Sequence, residues 1–332
     1  MQKTLGAVAL LAALVAVCLA SVAFGSGIGP HDVGPMTALD AVFRSSTVSD
    51  DIATLVDNRV ARTLLGLFVG LALGAAGALT QGHTRNPLAD PGLLGINAGA
   101  ACAVVTGVFA FGVSSPLAST GLALIGAGLA AAAVFVLADV TGGSPLTLVL
   151  AGTGLSAFLT AVTSAIVLSD GASLDVWRAW NVGSLSGRES SVLWTAAPFI
   201  IVGLLLALSG GWFLNLLSLG DDMAAALGGR VLLIRVTGIL TIMLLAGAST
   251  AACGPIVFLG LVVPHLARAV TGPDYRWIVP YSALIGALML LACDVVGRVI
   301  ARPGEVQVGV TLALVGAPAL MLMVRRKRLP TV

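Results

Sequence analysis

Between Val192 and Leu214 the chain runs for 23 residues without a single charged side chain, and stretches of this kind recur along its whole length. About 20 apolar residues at 1.5 Å per residue match the hydrocarbon thickness of a bilayer. Ten such windows fall near Leu5–Phe24, Val60–Leu79, Leu94–Val113, Leu117–Ala138, Leu146–Leu168, Val192–Leu214, Val231–Ala251, Pro255–Val270, Ile278–Ile300 and Val306–Val324, the eighth being short. Charged residues make up 10% of the 332 and hydrophobic ones 58%. A soluble domain has roughly a quarter charged residues, so this chain cannot cover a water-facing surface and its solvent is mostly lipid. Those proportions also exclude disorder, a collagen-like fibre and a disulfide-stapled secreted domain. A net charge of +2 with scattered basic residues excludes a nucleic-acid partner. Cys18, Cys102, Cys253 and Cys293 all lie in apolar runs with no CxxC pair, which fits small packing residues rather than metal or redox chemistry.

The windows are continuously apolar, without the period-two alternation of barrel strands, so the fold class is an all-α polytopic membrane protein in one transmembrane domain, residues 1–332. Lys3 and the small residues after Leu5–Phe24 look like a cleaved signal peptide, but the apolar stretch is longer than the 7–15 residues of a signal core. A retained helix is expected. Gly66, Gly70, Gly74 and Gly77 form a smooth stripe on the second span, suited to close helix contact.

Arg325-Arg326-Lys327-Arg328 abuts the last span and should stay cytoplasmic. Ten spans then put both termini inside, with loops near 80–93, 139–145, 215–230 and 271–277. Segments 25–59 and 169–191 and a turn at 301–305 fall outside. Arg44, Arg59, Arg62, Arg178, Arg188, Arg298 and Arg302 come out on the face where positive charge is disfavoured, which points either to a different topology or to an anionic partner there.

Three polar features interrupt the spans. Gln81 through Gly95 carries Pro87 and Pro91, which forbid a continuous helix, with Asn86 and Asp90 as cap residues. It is a tight turn or a gate. In Leu219-Gly220-Asp221-Asp222-Met223-Ala224-Ala225-Ala226-Leu227-Gly228-Gly229-Arg230, glycines bound a helix of about two turns that opens on two aspartates. Such a knob suits a partner's groove. His265 follows Pro264 and is expected to hydrogen-bond between helices. His31 and His83 offer no metal-ligand spacing, and no Ser–His–acid set is legible. Lys3 and Lys327 are the chain's two lysines and neither follows GxxxxG, so a P-loop is excluded. Asp139 and Asp294 lie at span edges, which weakens a midplane proton relay. The residues alone leave open a secondary transporter or a membrane receptor.

Arg59-x-x-Arg62-Thr63-Leu64, the NPLADPGLLG core within Gln81–Gly95, Gly254-Pro255-x-x-Phe258-x-Gly260-Leu261-x-x-Pro264-His265, Gly272-x-Asp274-x-Arg276, and Gly309 and Thr311 through Gly316-Ala317-Pro318 together resemble the FecCD/BtuC-like iron-chelate and cobalamin permeases. These are the membrane subunits of type II ABC importers. Asn97-Ala98-Gly99-Ala100 and Gly297-Arg298-Val299-Ile300 to Pro303-Gly304-Glu305 are most similar to ferric-siderophore permeases of the ferric-enterobactin type. Cys293-Asp294 departs from the family's usual Ala-Asp. The resemblance implies ten helices in the cytoplasmic (inner) membrane and no catalytic residue, metal or cofactor, ATP being bound by partners. Those partners are a second permease, identical or homologous, two cytoplasmic ATPase subunits and an external binding (lipo)protein. The implied cargo is a ferric siderophore, with haem or cobalamin as alternatives. It further implies binding-protein docking at Arg59, Arg62 and Arg298, and ATPase coupling at Asp221, Asp222, Met223, Ala224, Ala225, Ala226, Leu227 and Gly228, within a 215–230 coupling segment. The cytoplasmic gate would be Asn86, Pro87 and Leu88 with Ser144, Pro145, Leu146 and Thr147. An external helix around Trp177–Ser186 resembles the family's outer-gate segment.

Overall fold

The structure, a computed structural model, describes residues 2–24, 35–43, 50–140, 145–301 and 304–325. Among them are thirteen α-helices and no strand: α1 (Gln2–Ala23), α2 (Pro35–Phe43), α3 (Asp50–Thr84), α4 (Ile96–Phe111), α5 (Pro116–Val140), α6 (Pro145–Ser169), α7 (Gly171–Asn181), α8 (Ser190–Ser218), α9 (Asp221–Ala226), α10 (Val231–Cys253), α11 (Leu259–Thr271), α12 (Tyr275–Ile300) and α13 (Val308–Arg325). Seven of these are long and apolar enough to cross a membrane, and α4, α11 and α13 are shorter apolar helices. Together they account for the ten windows. Two boundaries differ from the sequence expectation. Gly254–Phe258 is not helical, so α11 starts at Leu259. The helix expected around Trp177–Ser186 is Gly171–Asn181, opened by the Asp170 side chain accepting Ser173 N–H, so only Trp177–Asn181 of the expected stretch is helical. Of the basic residues discussed above, Arg44, Arg302 and Arg326 through Arg328 lie outside the described residues, as does His31.

α3 is the axis. It packs on α12, α8, α10 and α11 and is buried along most of its length. In lipid, apolar side chains gain nothing by leaving solvent for a helix interface, so close van der Waals contact must hold helices together. The glycine stripe supplies it. A side chain at Gly70 would meet the Ala287 backbone, one at Gly74 the Ser282 carbonyl, and one at Gly77 the Gly260 backbone. The contacts descend one helix as they climb the other, so α3 and α12 run antiparallel. One end of the bundle therefore gathers Arg85, Asp221 and Tyr275, and the other gathers Arg62, Arg298 and Glu305. These are the Asp221 end and the Arg298 end below.

Apolar side chains of α1, α5, α6 and α8, such as Leu5, Ile125, Phe158 and Trp194, are exposed, as lipid-facing surfaces are. The four cysteines are unpaired and half-buried or buried.

Gly74→Val is expected to cost about 3 kcal/mol or more, because the clash is with backbone that cannot repack. Gly121→Ala, which meets nothing within 4 Å in α5, should instead gain about 0.5–1 kcal/mol from helix propensity. Thermal unfolding of both purified variants in detergent checks the contrast.

Candidate functional site

At the Arg298 end, two arginines converge on one carboxylate. Asp294 in α12 is completely buried. It accepts Arg62 Nη2 at 2.7 Å on Oδ1 and Arg62 Nε at 3.2 Å on Oδ2. Arg298 Nη2 lies 2.8 Å from the same Oδ2. Arg298 also donates to the Ser21 carbonyl at 2.8 Å and the Ser21 hydroxyl at 2.7 Å, which ties in α1. Arg62 Nη1 reaches Glu305 at 2.7 Å, and Ser186 Oγ donates to the other oxygen of Glu305. Burial opposes ionisation of Glu305, but the Ser186 hydroxyl and the Arg62 guanidinium outweigh it and hold its carboxyl below the usual range.

Arg59, Arg62 and Arg298 are thus brought together as expected, and with Arg188 they line one recess of about 380 Å³. Their condition differs from the expected one. None of the three stands as a freely exposed charge. Arg298 is 2% exposed and Arg59 8%, and Asp294 neutralises Arg62 and Arg298 from inside the protein. Glu305, Ser186 and Ser21 were missed. Their separations from their partners, up to 277 residues, carry no local signal.

At the Asp221 end, α9 spans Asp221–Ala226, somewhat shorter than the two turns expected. Gly220 at φ +103° precedes it and Gly228 at φ +83° follows, both outside the range that side chains tolerate. Ala224 is buried, while Met223 and Leu227 are more than half exposed. The helix thus presents an apolar knob rooted on α8 and α10. Asp221 accepts Arg85 Nη2 on one oxygen and Arg235 Nη2, at 2.5 Å, on the other. Neither arginine was singled out by the sequence reading.

The first expected gate segment is a structured loop. Asn86 Oδ1 accepts Leu88 N–H at 2.9 Å. Asp90 Oδ1 accepts Gly92 N–H at 2.8 Å and caps the short 3₁₀ turn Pro91–Leu94. His265 Nε2 lies 2.9 Å from the Pro87 carbonyl, so it carries the proton there and bridges α11 to the loop, as its position after Pro264 led us to expect. Burial pushes the Asp90 carboxyl up to about 6. The second segment begins at α6, which packs on that 3₁₀ turn. Ser144 lies outside the described residues, Pro145 and Leu146 open the helix, and Thr147 is half-buried. Beside the loop, Gln81 Oε1 takes Arg268 Nη1 at 2.8 Å, and Tyr275 takes Nη2 at 3.1 Å.

An α-helical bundle of ten apolar helices, with a capped knob and a broken polar loop at one end, defines a multi-pass membrane permease. Residues 11–326 match the FecCD transport family, and the chain belongs to it. It is 42% identical over 302 residues to the ferric enterobactin transport system permease protein FepD of Escherichia coli, covering 90% of each chain. It is 38% identical over 311 residues to the Fe(3+)-citrate import system permease protein YfmD of Bacillus subtilis, covering 92% of each. Among solved structures, it superposes with a TM-score of 0.84 and 27% identity on a metal-chelate type ABC transporter in an inward-facing conformation, over 98% of this chain and 99% of that one.

Removing one member of a buried charge cluster strands the others. Arg298→Ala is therefore expected to cost about 3–5 kcal/mol and to lower the unfolding temperature, whereas a purely surface arginine would leave it unchanged. Asp90 gives a pH-dependent case. An acid whose folded pKa is raised opposes folding once ionised, so its penalty is absent below about pH 4 and complete above about pH 6. Asp90→Asn keeps an oxygen for Gly92 N–H. It should raise the unfolding temperature relative to the parent at about pH 7.5 and not at about pH 4; equal shifts at both would show that Asp90 does not titrate in this range.

Proposed function

We propose that the chain is the membrane permease of an ATP-driven importer that carries a ferric siderophore across the cytoplasmic membrane. The observation that carries this reading is the 42% identity to the ferric enterobactin permease over nine-tenths of both chains. In this reading ATP hydrolysis belongs to two separate cytoplasmic subunits, and the knob Asp221–Gly228 seats in them. Its exposed Met223 and Leu227 over a buried Ala224 support that role, because an apolar tip on a capped helix fits a groove. A second permease, identical or homologous, completes the path. The termini lie inside, following the basic tail.

The Arg298 end then faces the external binding protein. The arginine-lined recess supports docking of acidic side chains, since a guanidinium grips a carboxylate through two charge-assisted bonds. Arg62 is the contact nearest its surface, held from below by Asp294, which Arg298 also pairs. Asn86–Leu88 with Ser144–Thr147 forms the inner gate. Their proline-broken polar backbone at span ends is tolerated in a membrane where it lines a cavity.

The test is reconstitution in proteoliposomes with the partner ATPases and the binding protein. Radiolabelled ferric enterobactin should accumulate with ATP and not with ADP, and unlabelled haem and cobalamin should fail to compete. Accumulation driven by an ion gradient without ATP would overturn the reading. Competition by haem would favour the other chemistry found in the family, since the chain is also 36% identical over 275 residues to the hemin transport system permease protein HmuU of Yersinia pestis.

A further inference from the structure

We infer that Arg85 is the positioning residue that links the α9 knob to the gate loop, so that movement of one displaces the other. The inference rests on the coupling and gate reading above and adds the physical connection between the two.

Arg85 is the first residue after α3, and its backbone is left-handed at φ +47°. Helices do often end in this conformation, but with glycine or asparagine in the position, because a Cβ is disfavoured there. Phe258 is the other residue with a side chain at positive φ among those described. An arginine at such a site is retained against backbone preference, and its side chain shows what holds it. Nε donates to the Leu217 carbonyl at 2.8 Å, in the last turn of α8. Nη2 donates to Asp221, the first residue of α9. One planar guanidinium therefore clamps both sides of the Leu219–Gly220 joint, where Gly220 at φ +103° leaves the backbone free to turn. Asp221 is not free to follow any other path, because its second oxygen is held by Arg235 of α10.

The backbone of Arg85 opens the gate loop. Asn86 N–H bonds back to the Gln81 carbonyl at 3.3 Å. The Asn86 side chain then fixes Leu88, and Pro87 is held by His265. No flexible spacer separates the clamped side chain from the loop. A shift of the α8–α9 joint is passed to residue 85 and directly to 86–88. Lysine could not reproduce this, since an ammonium lacks the rigid fork that spans two acceptors.

The experiment uses the assembled transporter in proteoliposomes, carrying Arg85→Gly or Arg85→Lys. Glycine suits the left-handed backbone, so R85G deletes the clamp while relieving the conformation. Three quantities are read: ATP hydrolysed per ferric enterobactin delivered, the spin-label distance from position 88 to the facing gate loop of the second permease, and the distance from position 225 to the ATPase subunit. For R85G we expect assembly and hydrolysis to persist, with ATP consumed per substrate rising roughly tenfold or more. The position-88 distance should stop following nucleotide while the position-225 distance still responds. R85K should fall between R85G and the parent. An unchanged ATP-to-substrate ratio in R85G, with position 88 still responding, would overturn the proposal. Failure of both variants to assemble would also overturn it, by making Arg85 a structural clamp alone. If position 225 never approaches the ATPase in the unsubstituted complex, the coupling reading itself fails, and this proposal fails with it.

Discussion

The contact between α3 and α12 is the one on which the rest of the structure depends. Both helices are solvated by lipid or by other helices, so no hydrophobic gain distinguishes one register from another. Steric fit does. Gly70 lies against Ala287, Gly286 against the Gly70 carbonyl, and Gly74 against Ser282. These backbone-to-backbone contacts admit no side chain and fix which residues meet at each end. At one end they align Arg62 with Asp294, and at the other they bring Gly82 against the Tyr275 ring. A shift of one turn would leave Asp294 without Arg62 and the glycines facing bulk.

Charged groups inside the bundle follow the same economy. Each is placed where several donors or acceptors converge, because an isolated charge is far more costly in lipid than in water. Asp294 has two guanidiniums. Arg268 is buried and is met by neutral acceptors, Gln81 and Tyr275, and by the Tyr275 ring at 5.7 Å. It lies in the last turn of α11, where the negative end of the helix dipole favours a cation. At the membrane edge the demand relaxes. Asp274 caps α12, and the adjacent Arg276 guanidinium holds its carboxyl well below the usual carboxylate range.

Much of this was legible in the sequence because it is local. Span length, the glycine stripe, the Gly220 and Gly228 boundaries of α9 and the Asn86 and Asp90 caps each depend on residues within a turn or two. Helix α7 was placed several residues late, since Asp170 caps it from a polar stretch that the tryptophans do not mark. The ionic clusters were not legible. Arg59, Arg62 and Arg298 stood out as positive charge on the wrong face, and Asp294 lies one turn before Arg298, but the carboxylates that hold Arg62 are 232 and 243 residues distant, and local chain order holds no trace of that convergence. Arg85 was hidden for another reason. It sits inside a motif whose prolines and caps already explained a turn, and only its backbone sign, positive where glycine is normal, sets it apart.

The two polar ends belong to one mechanical body. α3 runs 35 residues without a proline, and from Arg62 to its end at Thr84 it spans about 33 Å at 1.5 Å per residue. A continuous hydrogen-bonded helix does not absorb a displacement along its axis; it passes it on. Its seam with α12 is smooth where glycine meets backbone, so the pair can slide by small amounts without exchanging interlocked rotamers, as in shear motions of packed helices. The compliant points lie beyond the rod: Gly220 beside α9, and Gly183 at φ +70° after α7. Stiffness along α3 and freedom at those residues make the ends of the bundle the places where its conformation can change, and the polar clusters are built there.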